Sequence, residues 1–230
     1  MWHFLGELAS WYATGSHWHG SSGVPVLLWA TVKIAAESVL IALAVALPVG
    51  VGLGHSGRGG FLAINVTNVG RALPAIAVLV IGVQVLGIGE PPALATLVVL
   101  SLPPVLTNAY IGVRQVDPEV TDAARGMGMT GWQVLRRVEL PTALPLIAAG
   151  VRTAAVQAVA TVTLAAYVSY SCLGSLILEG ISVGDHVEIV AGSLLVVALA
   201  LLTELALAWL QRAVTPAGIR VASRLTWSEA

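Results

Sequence analysis

Residues 122–141 read Asp122-Ala-Ala-Arg-Gly-Met-Gly-Met-Thr-Gly-Trp-Gln-Val-Leu-Arg-Arg-Val-Glu-Leu-Pro141, a polar island between long apolar stretches. Its local chemistry predicts two short helices at an angle, projecting from whatever the apolar stretches build. Just ahead of it, Asp117-Pro118 supplies an N-cap followed by proline at the first helical position. A helix then carries Glu119, Asp122, Ala123 and Ala124 to the Gly126-Met127-Gly128 break, where Gly128 can take the positive φ that turns the chain. Thr130 and Gln133 have capping-box spacing and start a second helix, expected to end before Pro141. The small Ala123-Ala124 face permits close docking in a groove, while Met127, Met129 and Trp132 offer adaptable apolar contact. Asp122 can pair with a basic residue of a partner, or with Arg125 or Arg136 nearby. Taken alone, the same island is equally an ordinary connection whose glycines turn the chain.

Composition says what surrounds the island. Hydrophobic residues make up 57% of the 230-residue chain and charged residues 10%, with a mean hydropathy of +0.89. A soluble domain carries about 25% charged residues, so water is not the solvent for most of this surface. The length suits one membrane bundle. A net charge of −1, with arginines scattered rather than gathered on one face, gives nucleic acid no footing. Cys172 is the single cysteine, which excludes a disulfide framework and a cysteine-based metal site. The start, Met-Trp-His-Phe-Leu-Gly-Glu, lacks the basic region of a cleaved signal peptide.

A helix crossing the hydrocarbon core needs roughly 20 mostly apolar residues. Five such spans are expected, at about 33–54, 72–90, 91–113, 150–170 and 188–211. The segment 60–71, with Asn65, Thr67, Asn68 and Arg71, either prolongs the second span as an interfacial or protein-lined entry helix or crosses separately as a sixth. Basic residues accumulate on the cytoplasmic side. With five spans and an outside N-terminus, Arg58, Arg71, Arg114, Arg125, Arg136, Arg137, Arg152, Arg212, Arg220 and Arg224 all fall inside. Only Lys33, of eleven basic residues, falls outside, with Glu37 one turn on to pair with it. An arginine at the bilayer centre costs about 2.5–3.5 kcal/mol, so the spans near Arg71 and Arg152 are expected to start at those residues. Residues 1–28, with Trp2, Trp11, Trp18 and Tyr12, suit a short amphipathic segment at the outer interface, and 212–230 a cytoplasmic tail.

The island's spacing is acidic-Ala-Ala, three residues, Gly128, nine residues, Val138, one residue, then Leu140-Pro141. That resembles the coupling loop of bacterial ATP-binding-cassette importer permeases, the EAA motif, with Asp122 standing for the usual Glu. The likeness covers roughly 29–211. Arg71-Ala-Leu-Pro-Ala-Ile-Ala, Gly87-Ile-Gly89, Leu106-Thr-Asn-Ala-Tyr110-Ile-Gly112-Val-Arg-Gln-Val-Asp117-Pro118, Ala124-Arg-Gly-Met-Gly-Met129 and Gly150-Val-Arg152-Thr-Ala look like the osmoprotectant branch of this MetI-like family. One run departs. Where members carry something close to Ile-Gly-Ala-Gly-Gly-Leu-Gly, this chain reads Val168-Ser-Tyr170-Ser-Cys172-Leu-Gly174, so a less permissive backbone is expected there.

The resemblance implies an all-α integral inner-membrane permease, a transport subunit rather than an enzyme, with a transmembrane domain at 29–211. Its coupling loop, 117–141, would present Asp122, Ala123, Ala124, Gly126, Met127, Gly128, Met129, Leu140 and Pro141 to a separate ATPase. ATP and Mg would sit on that partner, since this chain has no Gly-x-x-x-x-Gly-Lys-Ser/Thr loop. It also implies a second permease subunit, identical or homologous, an external binding protein, and glycine betaine, carnitine, choline or proline betaine as cargo. An importer for another small solute, such as an amino acid, fits the same loop.

Candidates for the path follow from side-chain chemistry. Quaternary ammonium groups favour aromatic faces, which Tyr167 and Tyr170 can supply; both are equally interfacial belt tyrosines. Pro103 and Pro104 each remove a backbone donor in mid-span, which lipid tolerates only beside protein or a wet path; the kink serves a pore or packing alike. Glu204 is an intramembrane carboxylate and so a path candidate, or else a packing residue or one near the inner interface beside Arg212. Glu179, Asp185, His186 and Glu188 fall in an expected outer loop, as binding-protein contacts or solvated charges. His17 and His19 lack further ligands, so no metal is expected. A stand-alone secondary transporter would favour paired repeats, and an intramembrane protease a base near Ser169, Ser171 or Cys172; neither pattern is found in the sequence.

Overall fold

The computed structural model describes residues 2–214, and it is helical without strands among them. The N-terminal segment forms α1 (Trp2–Ala13) and a 3-10 turn (Gly15–Trp18), after which come α2 (Val24–Ser56), α3 (Gly60–Ala72), α4 (Ala75–Leu86) and α5 (Glu90–Arg114). The coupling region holds α6 (Pro118–Gly126) and α7 (Gly131–Val134), continued by a π-turn (Leu135–Glu139), α8 (Leu140–Thr161) and a 3-10 stretch (Val162–Val168). α9 (Leu173–Val183) and α10 (His186–Val214) complete the described chain. The expected tail at 212–230 begins inside α10, and its residues 215–230, with Arg220 and Arg224, lie outside the described residues, as does the Arg71 side chain.

Four stretches are long and apolar enough to cross a membrane: α2, α5, the continuous run Gly131–Val168, and α10. The fifth crossing follows from packing. Lys33 Nζ lies 3.1 Å from Glu90 Oε1 at one end of α2 and α5. At the other end, a Cβ on Gly54 would lie 2.8 Å from Val113 Cβ. α2 and α5 are therefore parallel neighbours, and the chain between them must return across the bilayer. α3 and α4, of 13 and 12 residues, together span up to roughly 37 Å, enough for one return and not two. The expected span at 72–90 is helical over α4, and Leu73 and Pro74, in extended backbone angles, separate it from α3, the helix that prolongs it at 60–72. Proline disfavours helix in the residue before it, here Leu73.

Close helix contact in lipid needs small residues. A Cβ on Gly50 would fall 2.7 Å from the Leu106 carbonyl oxygen, and one on Gly150 2.6 Å from Asn108 Cβ. These approaches hold α2 against α5, and α5 against an antiparallel α8. Around them lies the core of Ile34, Val39, Leu97, Val105, Ala154, Val159 and Val162. Three buried hydroxyls donate within their own helices: Thr31 Oγ1 to Leu27 O (2.7 Å), Ser38 Oγ to Ala35 O (2.8 Å) and Thr96 Oγ1 to Pro92 O (2.7 Å).

Other boundaries move. The first span begins at Val24, not 33, with Pro25 in its first turn, where a missing N–H costs nothing. The expected outer loop at 179–188 is instead a hairpin of α9 with the start of α10, whose N-terminus Asp185 Oδ1 caps by accepting from Val187 N–H at 2.8 Å. α5 carries Pro103 and Pro104 inside one helix. The outer segment is anchored rather than loose: Trp11 is buried, the Tyr12 hydroxyl donates to Ala191 O at 2.8 Å, and Trp18 Nε1–H donates to Tyr12 O at 2.9 Å.

In the departing run, Ser169 adopts φ 64°, the left-handed region that favours glycine. For a residue with a Cβ that conformation has a steric cost of about 1–2 kcal/mol, in keeping with the less permissive backbone expected there. Ser169→Gly is therefore expected to raise unfolding stability by about 1 kcal/mol, read as a higher melting midpoint in detergent; an unchanged midpoint would rule out strain there.

Candidate functional site

The coupling region is built by its own local signals. Asp117 Oδ1 accepts from Glu119 N–H at 2.9 Å, capping α6 behind Pro118. α6 ends in a turn in which Gly128, at φ 85°, donates to Arg125 O at 2.9 Å and Met129 N–H to Ala124 O at 3.2 Å. Thr130 and Gln133 complete the expected capping box, Thr130 N–H donating to Gln133 Oε1 at 2.8 Å. Asp122 pairs with Arg125, at 3.4 Å, among the partners weighed for it.

The expected end of the second helix before Pro141 is corrected. Leu140 N–H donates to Leu135 O, the wider reach of a π-turn, and the helix runs on through Pro141 and Pro145 into the membrane. Widening the turn just ahead of Pro141 accommodates a residue with no N–H to give. The second arm of the loop is thus the first part of a long helical run, Gly131–Val168, not a separate short helix.

One face of the loop is packed and the other is bare. Ala124, Val134 and Leu135 are buried, the last beside Val51 of α2 and Val113 of α5. Met127 is 73% exposed and Trp132 66%, and Asp122, Ala123, Gly126 and Gly128 are exposed beside them. Met129, Leu140 and Pro141 are partly buried. Behind the arm, a feature absent from the sequence reading appears: His55 Nδ1–H donates to Glu139 Oε2 at 2.6 Å, with the Glu139 side chain only 6% exposed.

The five expected path residues do not converge. The Tyr170 hydroxyl donates to Ala30 O of α2 at 3.1 Å, so it ties the outer turn to a span. Tyr167 stays exposed and lines a pocket of about 160 Å³ with Thr163, Leu164 and Ile177. Pro103 packs against Gly70 and lines a groove of about 340 Å³ between α3 and α5, with Asn65, Val69 and Leu73. The Pro104 carbonyl accepts from Asn108 Nδ2 at 2.8 Å, facing Gly150 of α8. Glu204 Oε1 lies 3.3 Å from Arg152 Nε. The start expected for the fourth span at 150 falls inside α8, where Arg152 is paired with Glu204. Among the described residues, no group of three His, Cys, Asp or Glu could hold a metal ion.

A helical bundle of parallel and antiparallel spans, with a capped two-armed loop at one end, is now in view. Residues 39–218 match the family model described as "Binding-protein-dependent transport system inner membrane component". The chain belongs to this family. It is 38% identical over 197 residues to a carnitine transport permease of Listeria monocytogenes, covering 86% of this chain and 90% of that one. It is 34% identical over 183 residues to a glycine betaine/carnitine/choline permease of Bacillus subtilis, covering 80% and 84%. Its fold matches a chain of the inward-facing MetNI methionine ABC transporter with a TM-score of 0.71 at 25% identity, covering 82% and 94%. This permease is therefore a multi-pass inner-membrane transport subunit with the MetI-like architecture.

Within the permease, the Arg152–Glu204 pair makes a prediction. Glu204→Leu leaves an unpaired arginine in the span and is expected to cost about 3 kcal/mol. The double variant Arg152→Leu/Glu204→Leu should recover most of that loss. Melting midpoints in detergent, with membrane expression levels, read both; a double variant worse than the single would contradict the pairing.

Proposed function

We propose that this permease forms one half of the pore of an importer for small methylated ammonium osmoprotectants, of the glycine betaine, carnitine and choline class. The names of its relatives support the cargo, since they match over four fifths of the chain or more. One observation carries the mechanism. The 117–141 loop keeps a buried rear face against α2 and α5 while Met127, Trp132 and the Ala123 side of α6 stand free. A bare, semi-apolar tip backed by a fixed base is what an ATPase groove needs in order to grip.

On this reading the loop is cytoplasmic, the N-terminus outside, and ATP and Mg bind to the partner ATPase. Hydrolysis there displaces the loop, and because the second arm runs unbroken into α8, the displacement becomes tilting of a span. Rocking of two paired permeases, identical or homologous, then exposes a central path to each side in turn. The external binding protein delivers cargo to the outer ends, where Glu179, Asp185, His186 and Glu188 gather around the α9–α10 hairpin. Selectivity lies mainly in the binding protein. Tyr167, with its ring exposed, is the better path candidate of the two tyrosines, because the Tyr170 hydroxyl is already engaged.

Two experiments test the reading. The chain, expressed with its ATPase and binding protein, should carry labelled glycine betaine, choline or carnitine into vesicles only with ATP; an amino acid carried in their place would overturn the cargo. Tyr167→Leu should lower that uptake about tenfold while the ATPase still co-purifies. Undiminished uptake would remove Tyr167 from the path.

A further inference from the structure

Glu139 and His55 stand 84 residues apart and neither belongs to the loop's docking face. Glu139 is a carboxylate with its side chain almost wholly buried, a costly group unless it is paired. It is carried by the π-turn at which the coupling arm becomes a membrane span, and such turns are concentrated at functional positions. His55 comes from the last turn of α2, which Gly57 terminates in the left-handed conformation. While Nδ1 of His55 meets Glu139, its Nε2 edge lies over Gly131, the first residue of α7, where a Cβ would come within 3.5 Å. A single imidazole thus bonds one end of the arm 131–139 and faces the other.

Chain continuity explains why this placement matters. Movement of the loop reaches α5 through Val116–Asp117 and α8 through the π-turn, because the backbone joins them. α2 has no such connection to the loop. It meets the arm through the apolar cluster that Val51 shares with Leu135 and through the His55–Glu139 pair. An apolar contact slides, whereas a hydrogen-bonded pair with one buried partner fixes both distance and direction.

We propose that His55 and Glu139 are positioning residues: a strut that holds the coupling arm at a fixed angle to α2, so that movement of the loop is delivered to the bundle instead of being lost in hinging of the arm. This rests on the coupling reading above. The strut acts through the arm and touches neither cargo nor nucleotide. It predicts loss of coupling without loss of docking.

The test uses the whole transporter, with its ATPase and binding protein, reconstituted in vesicles with labelled glycine betaine, choline and carnitine as probes. His55→Ala and Glu139→Ala should each lower solute carried per ATP hydrolysed by about tenfold, with the ATPase still co-purifying. The double variant should be no worse than either single one, since both remove the same strut. Glu139→Gln should restore at least half the ratio, because its amide oxygen still accepts from Nδ1–H. A ratio within twofold of wild type in both alanine variants would overturn the strut. A wild-type chain that binds no ATPase would instead overturn the coupling reading. A solute-free measurement covers poorly folding variants: spin labels at Leu40→Cys and Arg137→Cys report the angle of the arm, and the buried Cys172 stays out of the chemistry. Glu139→Gln should keep the narrow wild-type distance distribution and His55→Ala broaden it; equal widths in the two would contradict the strut.

Discussion

Gly50 and Gly54 bring α2 so close to α5 that a single methyl group at either would collide with the facing helix. The contact is parallel, and everything else in the topology answers to that direction. Two neighbouring spans running the same way require a return between them, so residues 57–89 must cross, whatever breaks they contain. The parallel contact also puts the end of α2 beside the end of α5, and hence beside the loop that follows α5. Lipid supplies no hydrophobic drive for pairing spans, so backbone proximity of this kind is what holds such helices together.

The same solvent decides how polar groups are treated. Arg152 meets Glu204, Lys33 meets Glu90 and Glu37, and the buried hydroxyls of Thr31, Ser38 and Thr96 turn back to their own helices. Without water as an alternative partner, each is worth keeping only when satisfied. At the loop end of the bundle that logic changes its use. The buried Glu139 is satisfied by a residue from another span, so a local need for a partner becomes a mechanical link between elements.

Signals that act within a few residues were legible in the sequence. The Asp117 cap, the Thr130–Gln133 box and the Gly128 turn each depend on groups three residues apart or fewer, and all formed as expected. The pairing of Lys33 with Glu37 was equally readable, at one helical turn. What stayed hidden depended on distant partners. Pro74 breaks its helix while Pro103, Pro104 and Pro141 do not, and the difference lies in surroundings: Gly70 leaves room for Pro103, and a π-turn precedes Pro141. Arg152 was expected at an interface because no local residue could neutralise it; its partner lies on α10. The family spacing marks the 117–141 loop as the expected coupling site, while nothing near Glu139 in the sequence points to His55. The expected path residues were chosen by chemistry one at a time, and their contacts separate them.

The account stands on the parallel α2–α5 pair and the side of the membrane on which its loop end lies. Thiol labelling tests this directly, because the native Cys172 is buried. Met127→Cys and Leu5→Cys, each in right-side-out vesicles, would be exposed to a membrane-impermeant maleimide. The account predicts that Leu5→Cys reacts from outside, whereas Met127→Cys reacts only after the vesicles are opened. Reaction of Met127→Cys from outside in sealed vesicles would contradict it.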